Sequence, residues 1–344
     1  MSKLLRGSEW RRWDLHIHTP DTIKNDQFDG ISDEEKWNKY YDDIARYIGD
    51  GTDPAKNIVA IAITDYLSIE NYKKVISDKK LTKAIELVLP NVEMRMYPLS
   101  KQSGINIHFI FDPLIVDELN ERFFSQLYIE HGGRKYTAVK SSLIALGKAI
   151  SPEIKDDEAA YKKGIGQFIP TCKTIKDVFD ADSMLREKTI VVVSNSSNDG
   201  VSGAANHCCY FEPSIKGSDF DATRQSIYQF SDAIFSGNEK DIFYFLGEGA
   251  DPKEVVIKKC GSLKPCVHGS DAHTNSKIFE PDDKKYCWVK ADPTFNGLRQ
   301  IIYEPKERVR ISTIKPETKA DYHVIDHGEL DDPGCQRSPM YYWR

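Results

Sequence analysis

The chain has 344 residues, 40% hydrophobic and 29% charged, with 47 Lys and Arg against 53 Asp and Glu. Those proportions describe a soluble globular chain, one large α/β domain or two ordinary ones, and the formal charge of −6 excludes a global basic field for nucleic acid. No apolar run approaches the roughly 20 residues of a membrane span, and the start lacks the apolar core of a signal peptide, so the expected location is cytoplasmic with no membrane partner.

Near the start, Asp14, His16 and His18 alternate with Leu15 and Ile17. In an extended segment the first three share one side, so two imidazoles converge on one point. A helix is expected over 33–48, with apolar or aromatic residues at helical spacing, Ser32 as N-cap and Gly49 as stop. Residues 58–64 form a continuous apolar, β-branched run ending at Asp65, which reads as a buried parallel strand. A helix capped by Ser68 follows, to about residue 76.

Further strands are expected at 85–92, 105–111, 190–193 and 263–267. Helices are expected at 113–129, 141–150, 175–186, 222–235 and 294–302. Strands alternating with helices of this length predict a parallel sheet or barrel, whose chemistry gathers at the carboxyl ends of the strands. Residues 151–172 read as loop or short helix, and 194–220 as a polar excursion. After about residue 312 the pattern dissolves, and no internal repeat is found. Seven cysteines (Cys172, Cys208, Cys209, Cys260, Cys266, Cys287 and Cys335) without a Cys-x-x-Cys pair read as reduced thiols.

Asp271 and His273 repeat the i, i+2 spacing of His16 and His18 after Gly269 and Ser270. Four nitrogen or oxygen donors on two strand ends suit Zn²⁺ or Mn²⁺. Arg95 follows Glu93 by two residues, faces the same way in a strand, and is the candidate for neutralising phosphate charge. Asp14 and Asp65 are expected to accept from an imidazole and fix its tautomer, with a helix or turn cap as the alternative.

Between the two histidine-bearing ends lie Thr64-Asp65-Tyr66, Asn91-Val92-Glu93-Met94-Arg95 and Asn106-Ile107-His108-Phe109. This order of motifs resembles the PHP superfamily, the polymerase and histidinol phosphatase domain, over residues 8–312. The resemblance implies an α/β fold, a distorted (β/α)7 barrel around a metal cluster. It implies a first metal held by His16, His18, Glu93 and Asp271. A second would share Glu93 and take His108 plus a histidine from the strand near Ser194 and Asn195, which has none; His131 and His207 are the substitutes. A third would need a histidine where Tyr66 stands, with His273 as its remaining ligand. One or two ions are therefore expected, and Tyr66 either moves to contact substrate or packs beside the strand.

The activity so implied is metal-dependent phosphoester hydrolysis, with Glu93, Asp271, His273, Arg95 and Asp65 as catalytic candidates and His16, His18, Glu93, His108, Asp271 and His273 as metal candidates. His273 or His108 could protonate the leaving oxygen. A narrower similarity, from Asp221-Ala-Thr-Arg-Gln and Phe230 through Gly237 to Cys287-Trp-Val-Lys and Ile302-Tyr-Glu-Pro, is to the amino-terminal PHP domain of TrlF-type proteins, which precedes an AAA or SMC-like ATPase. Residues 313–344 then read as a C-terminal extension or the cut start of a following domain. No Gly-x-x-x-x-Gly-Lys-Ser/Thr occurs, so nucleotide hydrolysis by this chain is not expected, and the chain reads as a truncated member or as a nuclease-like subunit working with a separate ATPase.

The leading expectation is a nuclease acting on nucleic acid in anti-phage defence or repair, with local support from Arg11-Arg12 and the run Gly132 to Lys135. The alternatives are a phosphatase on a small phosphorylated metabolite and a catalytically degenerate metal-binding module.

Overall fold

The computed structural model describes residues 9–99, 104–195, 204 and 221–316. His207, Cys208, Cys209, Cys335, most of the 194–220 excursion and nearly all of the C-terminal extension lie outside the described residues. Cys172, Cys260, Cys266 and Cys287 are free thiols.

The chain opens with β1 (Trp10–Ile17), then α1 (Asp33–Ile48), β2 (Ile58–Tyr66) and α2 (Glu70–Asp78). Helix α1 starts where Ser32 accepts the Glu35 N–H at 3.2 Å and stops where Gly49, at φ 62°, donates back to the Ala45 carbonyl. Its buried face is Trp37, Tyr40, Tyr41, Ile44 and Ile48. Each such side chain removed from water contributes about 1.5–3 kcal/mol before ordering costs.

Strands β3 (Leu87–Leu99) and β4 (Gly104–Phe111) follow, then a single 3₁₀ stretch at Pro113–Glu118 and a π turn at Asn120–Phe124. The long helix expected over 113–129 is thus a short, tight 3₁₀ stretch followed by a wider π turn. Asp112 caps the first through the Leu114 N–H, and Phe123 and Phe124 anchor the second in the core. Where the expected helix would have ended, a hairpin of β5 (Tyr128–His131) and β6 (Arg134–Thr137) begins.

Helices α3 (Lys140–Ile150), α4 (Asp157–Gln167), α5 (Cys172–Ala181) and α6 (Ser183–Glu187) come next. Helix α4 lies in the stretch expected as loop or short helix. The helix expected over 175–186 breaks at Asp182, whose carboxylate caps α6 by accepting the Leu185 N–H. Then come β7 (Thr189–Ser194), α7 (Asp221–Phe230) and β8 (Ala233–Phe235), so the helix expected to reach 235 stops five residues early and its last apolar residues enter the sheet. Asp232 makes the break: its carboxylate takes both Arg186 guanidinium nitrogens, at 2.7 and 3.0 Å, and the Val191 N–H. Helices α8 (Glu239–Phe245) and α9 (Lys253–Cys260), β9 (Cys266–Val267), β10 (Tyr286–Lys290), α10 (Phe295–Tyr303), α11 (Pro305–Arg308) and β11 (Val309–Ser312) complete the chain.

Nine strands form one sheet in the order β11-β10-β1-β2-β3-β4-β7-β8-β9. The β1–β2, β2–β3, β7–β8 and β8–β9 pairs are parallel, but β4 runs antiparallel to both β3 and β7, and β10 is antiparallel to β1. The sheet is therefore mixed rather than all parallel. It curls until the chain beyond β9 returns to β1, where the Leu15 N–H reaches the His268 carbonyl, Asp271 N–H donates to the His16 carbonyl at 2.8 Å, and Ile17 bridges Ala272. The result is a nearly closed, barrel-like α/β sheet.

Candidate metal centre

The register of three strands builds the floor and wall of one site. On β2, the residues Ala60, Ala62, Thr64 and Tyr66 pair in turn with Leu87, Leu89, Asn91 and Glu93 on β3. Because side chains alternate, this face changes from apolar to polar toward the carboxyl end of both strands. On antiparallel β4, Ile110, His108 and Asn106 stand opposite Asn91, Glu93 and Arg95. Asn91 ties the polar layer together, donating to Thr64 Oγ1 at 2.9 Å and to the Leu15 carbonyl at 3.2 Å.

The other wall is the join between β1 and the 268–273 loop. The β1–β2 register shifts between Asp14 and Ile17, and such irregularities re-aim side chains. Asp14 clasps the join, accepting the Ser270 N–H at 3.1 Å and the His16 N–H at 3.2 Å. Asp271 sits at φ 48°, a left-handed conformation that Asp tolerates better than most residues and that turns its carboxylate toward β1.

Four donor atoms meet there. His16 Nε2 lies 3.2 Å from His18 Nε2, 3.4 Å from Glu93 Oε2 and 3.2 Å from Asp271 Oδ1. His18 Nε2 lies 3.5 Å from Glu93 Oε2 and 3.3 Å from Asp271 Oδ1. Five of the six separations among these atoms are thus 3.2–3.5 Å, and the donors fall into two possible ligand groups that share His16: His16, His18 and Asp271, and His16, Glu93 and His108. Glu93 Oε2 is buried and has no partner with hydrogen-bond geometry, so the donor set fits a small divalent cation.

The electrostatics favour the ionised form of both carboxylates and the neutral form of His18 and His108. Burial would push the Glu93 carboxyl up, but His16 and the facing His108 and His18 rings hold it far below the usual carboxylate range. Burial also opposes ionisation of Asp271, and His16, His18 and His273 overcome it, helped by a carboxylate that remains 49% exposed at the site's open side. Burial lowers His18 against the raising effect of Asp271, and burial followed by His16 lowers His108 further. Ionised carboxylates and neutral imidazoles are the states a metal needs.

The remaining candidates divide. His108 joins His16 and Glu93 in a second possible ligand group and has no hydrogen-bond partner on either ring nitrogen. His273 stands at the rim, with Nε2 3.5 Å from Asp271 Oδ1 and its ring stacked on His18 at 4.0 Å. Arg95 Nη2 is 3.7 Å from Glu93 Oε1, the oxygen turned away from the histidines. The Tyr66 ring stacks on His18 at 5.3 Å.

Asp14 and Asp65 accept from backbone rather than from an imidazole: Asp65 takes the Tyr66 and Asn71 N–H groups at the entry to α2, and its burial raises its pKa to about 6. His131 lies on the β5–β6 hairpin, and Asn195 Oδ1 accepts from the Tyr228 hydroxyl.

Three contributors carry no motif. Thr22 Oγ1 is 3.4 Å from His18 Nδ1 and can accept its proton, leaving Nε2 free to ligate. Phe235, expected in a helix, packs on His16 and His108 at 5.4 and 4.6 Å. His268, three residues before Asp271, has its pKa lowered to about 4 by burial and by His16.

No family model and no curated protein matches the chain. Among solved structures it is similar to an inferred metal-dependent phosphoesterase from Bifidobacterium adolescentis, at 12% identity and TM-score 0.35, over 85% of this chain and 96% of that one. It is also similar to an amidohydrolase from Chromobacterium violaceum with bound sulfate and no metal, at 12% identity and TM-score 0.36, over 87% of this chain and 98% of that one. At such TM-scores the likeness decides nothing about chemistry, and the donor geometry alone carries it.

One of the two local supports for nucleic-acid binding, the Arg11-Arg12 pair, loses its basis. Arg12 is 3% exposed, stacked on the Tyr286 ring at 3.6 Å and donating to the Tyr47 hydroxyl and the Ala55 and Phe279 carbonyls. Arg11 donates to the Ala291 carbonyl at 2.6 Å. Both serve the barrel rather than a surface. Among the described residues no helix is long and apolar enough to cross a membrane.

Proposed function

We propose that the chain is a divalent-metal-dependent hydrolase of phosphate esters. The single observation behind this reading is the convergence of the His16, His18, Glu93 and Asp271 donor atoms, five of whose six separations are 3.2–3.5 Å, at the mouth of a barrel-like sheet. A cation bound there supplies Lewis acidity and a deprotonated water near neutral pH.

The chain's own residues do the rest. Glu93 is held ionised so that one oxygen faces the histidines while the other steadies Arg95. Arg95 then presents its guanidinium where a phosphoryl oxygen would lie, and guanidinium–phosphate pairing is both strong and geometrically specific. His273, at the rim beside Asp271, is placed to hand a proton to the leaving oxygen. Thr22 fixes the His18 ring. His108 offers one further donor toward the same Glu93 edge, which gives the site room for a second ion.

The test is hydrolysis of generic phosphomonoester and phosphodiester substrates with Mn²⁺ or Zn²⁺. Activity that a chelator removes, that added metal restores and that Glu93→Gln abolishes supports the reading. A folded, metal-loaded chain inert on every phosphoester refutes it and leaves a non-catalytic metal module. Cleavage of nucleic acid beside an ATPase partner and removal of phosphate from a small metabolite use the same residues, and the ratio of phosphodiester to phosphomonoester turnover separates them.

A further inference from the structure

A second polar row crosses the sheet beside the metal donors. On β4, Asn106 is two residues from His108 and so shares its face, standing opposite Arg95 as His108 stands opposite Glu93. The β4–β7 ladder pairs His108 with Val192 and Ile107 with Val193, so its next step sets Asn106 beside Ser194. Ser194 is paired in turn with Phe235 of β8, whose ring packs on His16 and His108. Backbone register alone therefore places Asn106 and Ser194 on the site's face. They lie about 7 Å along the strands from the Glu93–His108 pair, two residues at roughly 3.4 Å each. The row opens at Arg95, whose side chain is 21% exposed.

Asn106 and Ser194 are 4% and 1% exposed, and Asn106 Oδ1 and Ser194 Oγ have no hydrogen-bond partner. Adjacent Asn195 differs, since its Oδ1 accepts from the Tyr228 hydroxyl. Unpaired buried polar groups cost stability that apolar residues of like size would not, so packing alone gives no reason for two of them side by side. Neither residue belongs to a possible metal-ligand group, and the row is the same beside one ion or two. The missing partner is defined by hydrogen-bond sense. An acceptor such as Oδ1 is matched only by a donor, and an ionised phosphate oxygen has no proton to give. A hydroxyl both gives and accepts, so it satisfies Ser194, and it satisfies Asn106 whichever way the amide is turned.

We infer that Asn106 and Ser194 form a subsite for the alcohol part of the ester and select a substrate whose organic group carries hydroxyls close to the phosphate, as a polyol or a sugar does. The inference rests on the phosphoesterase reading and extends it from the phosphate to the group esterified to it. Distance fits that division, because a row about 7 Å from the Glu93–His108 pair is reached by what lies beyond the phosphoryl centre.

The experiment compares the full-length wild type, Ser194→Ala and Asn106→Leu, each loaded with Mn²⁺. Affinity is read calorimetrically with the phosphonate analogues of glycerol phosphate and propyl phosphate, which carry the same charge and resist hydrolysis, and turnover is read with the two esters themselves. Wild type is expected to bind the glycerol analogue about 10-fold or more tighter than the propyl analogue, and each variant to lose most of that preference. With the esters the loss appears mainly in KM for glycerol phosphate rather than in kcat. Denaturation of the metal-free protein separates this from a fold defect: the Ser194→Ala midpoint should not fall, because the hydroxyl it removes has no partner. If Asn106→Leu does not fold, Ser194→Ala decides alone. Equal wild-type affinity for the two analogues, no binding of either, or a preference that survives Ser194→Ala overturns the inference. A hydroxyl preference in binding with neither ester hydrolysed refutes the phosphoesterase reading and leaves the subsite standing.

Discussion

Gly269→Ala tests whether the two halves of the site depend on one close backbone contact. A Cβ at Gly269 would lie 2.3 Å from the His16 nitrogen and 2.7 Å from both Asp14 Oδ1 and His16 Cβ. Ordinary contact begins near 3.4 Å, so the loop must retreat by 3.4 minus 2.3, about 1 Å. Nothing nearby yields easily, because the obstructing atoms are strand backbone and the carboxylate that clasps Ser270.

Overpacking of this kind costs about 1–3 kcal/mol of stability. Retreat also carries Asp271, two residues on, away from His16 and His18. Displacing a supporting contact typically costs about 10–100-fold in metal affinity. Chemical denaturation of metal-free protein reads the first effect, and competition with a chromophoric chelator reads the second. Gly166→Ala in α4, where an added Cβ meets nothing within 4 Å, is the control and should be neutral or stabilising by about 0.5–1 kcal/mol. A Gly269→Ala protein with wild-type stability and wild-type metal affinity would refute the coupling.

His108→Phe should stabilise the metal-free protein by about 1 kcal/mol, since it replaces two unpaired buried ring nitrogens by apolar carbon, yet it should lower metal occupancy; lost stability with unchanged metal content would count against it. Asp65 has its folded pKa raised from 3.8 to about 6 by burial. Its stabilising contribution is therefore full below about pH 4 and lost as pH rises through about 6. Wild-type stability relative to Asp65→Asn should fall by up to about 3 kcal/mol between pH 4 and 7 in metal-free denaturation, and a pH-independent difference would contradict the assignment. Asp232→Ala removes both Arg186 hydrogen bonds and the Val191 acceptor, and should cost about 2–4 kcal/mol in denaturant melts; a loss under about 0.5 kcal/mol would show that this network does not hold the β7–β8 join.

The readable parts of the sequence are those where one local rule acts alone. Helix α1 has an unambiguous cap and stop, and β2 is a continuous apolar run, so each is expected almost to its observed ends. His16 with His18 is legible as a donor pair because a two-residue period fixes a shared face at the end of β1, whereas Asp271 and His273 repeat that spacing on a loop, with Asp271 at φ 48°. Where two periods fit the same residues, the reading fails. Residues 113–129 have helical spacing, but Asp112, Pro113 and the core contacts of Phe123 divide them into a 3₁₀ stretch and a π turn. Ala233, Ile234 and Phe235 continue a helical pattern and still form a strand, because Asp232 is claimed by Arg186.

Sheet sense is hidden for a similar reason: β4 is as apolar as a parallel strand, and its reversal is what sets His108 opposite Glu93. Thr22 has no spacing to announce it. It reaches the site because an irregular segment is tied to His273 by a backbone hydrogen bond.

The central claim is that His16, His18, Glu93 and Asp271 jointly grip one divalent cation. Elemental analysis of protein purified without added metal, followed by X-ray absorption at the edge of the metal found, tests it most directly. The account predicts at least one divalent ion per chain, surrounded by nitrogen and oxygen at about 2.0–2.1 Å, and loss of that ion in Glu93→Gln. A correctly folded chain that takes up no divalent ion, or one whose ion survives Glu93→Gln with sulfur as a neighbour, would contradict it.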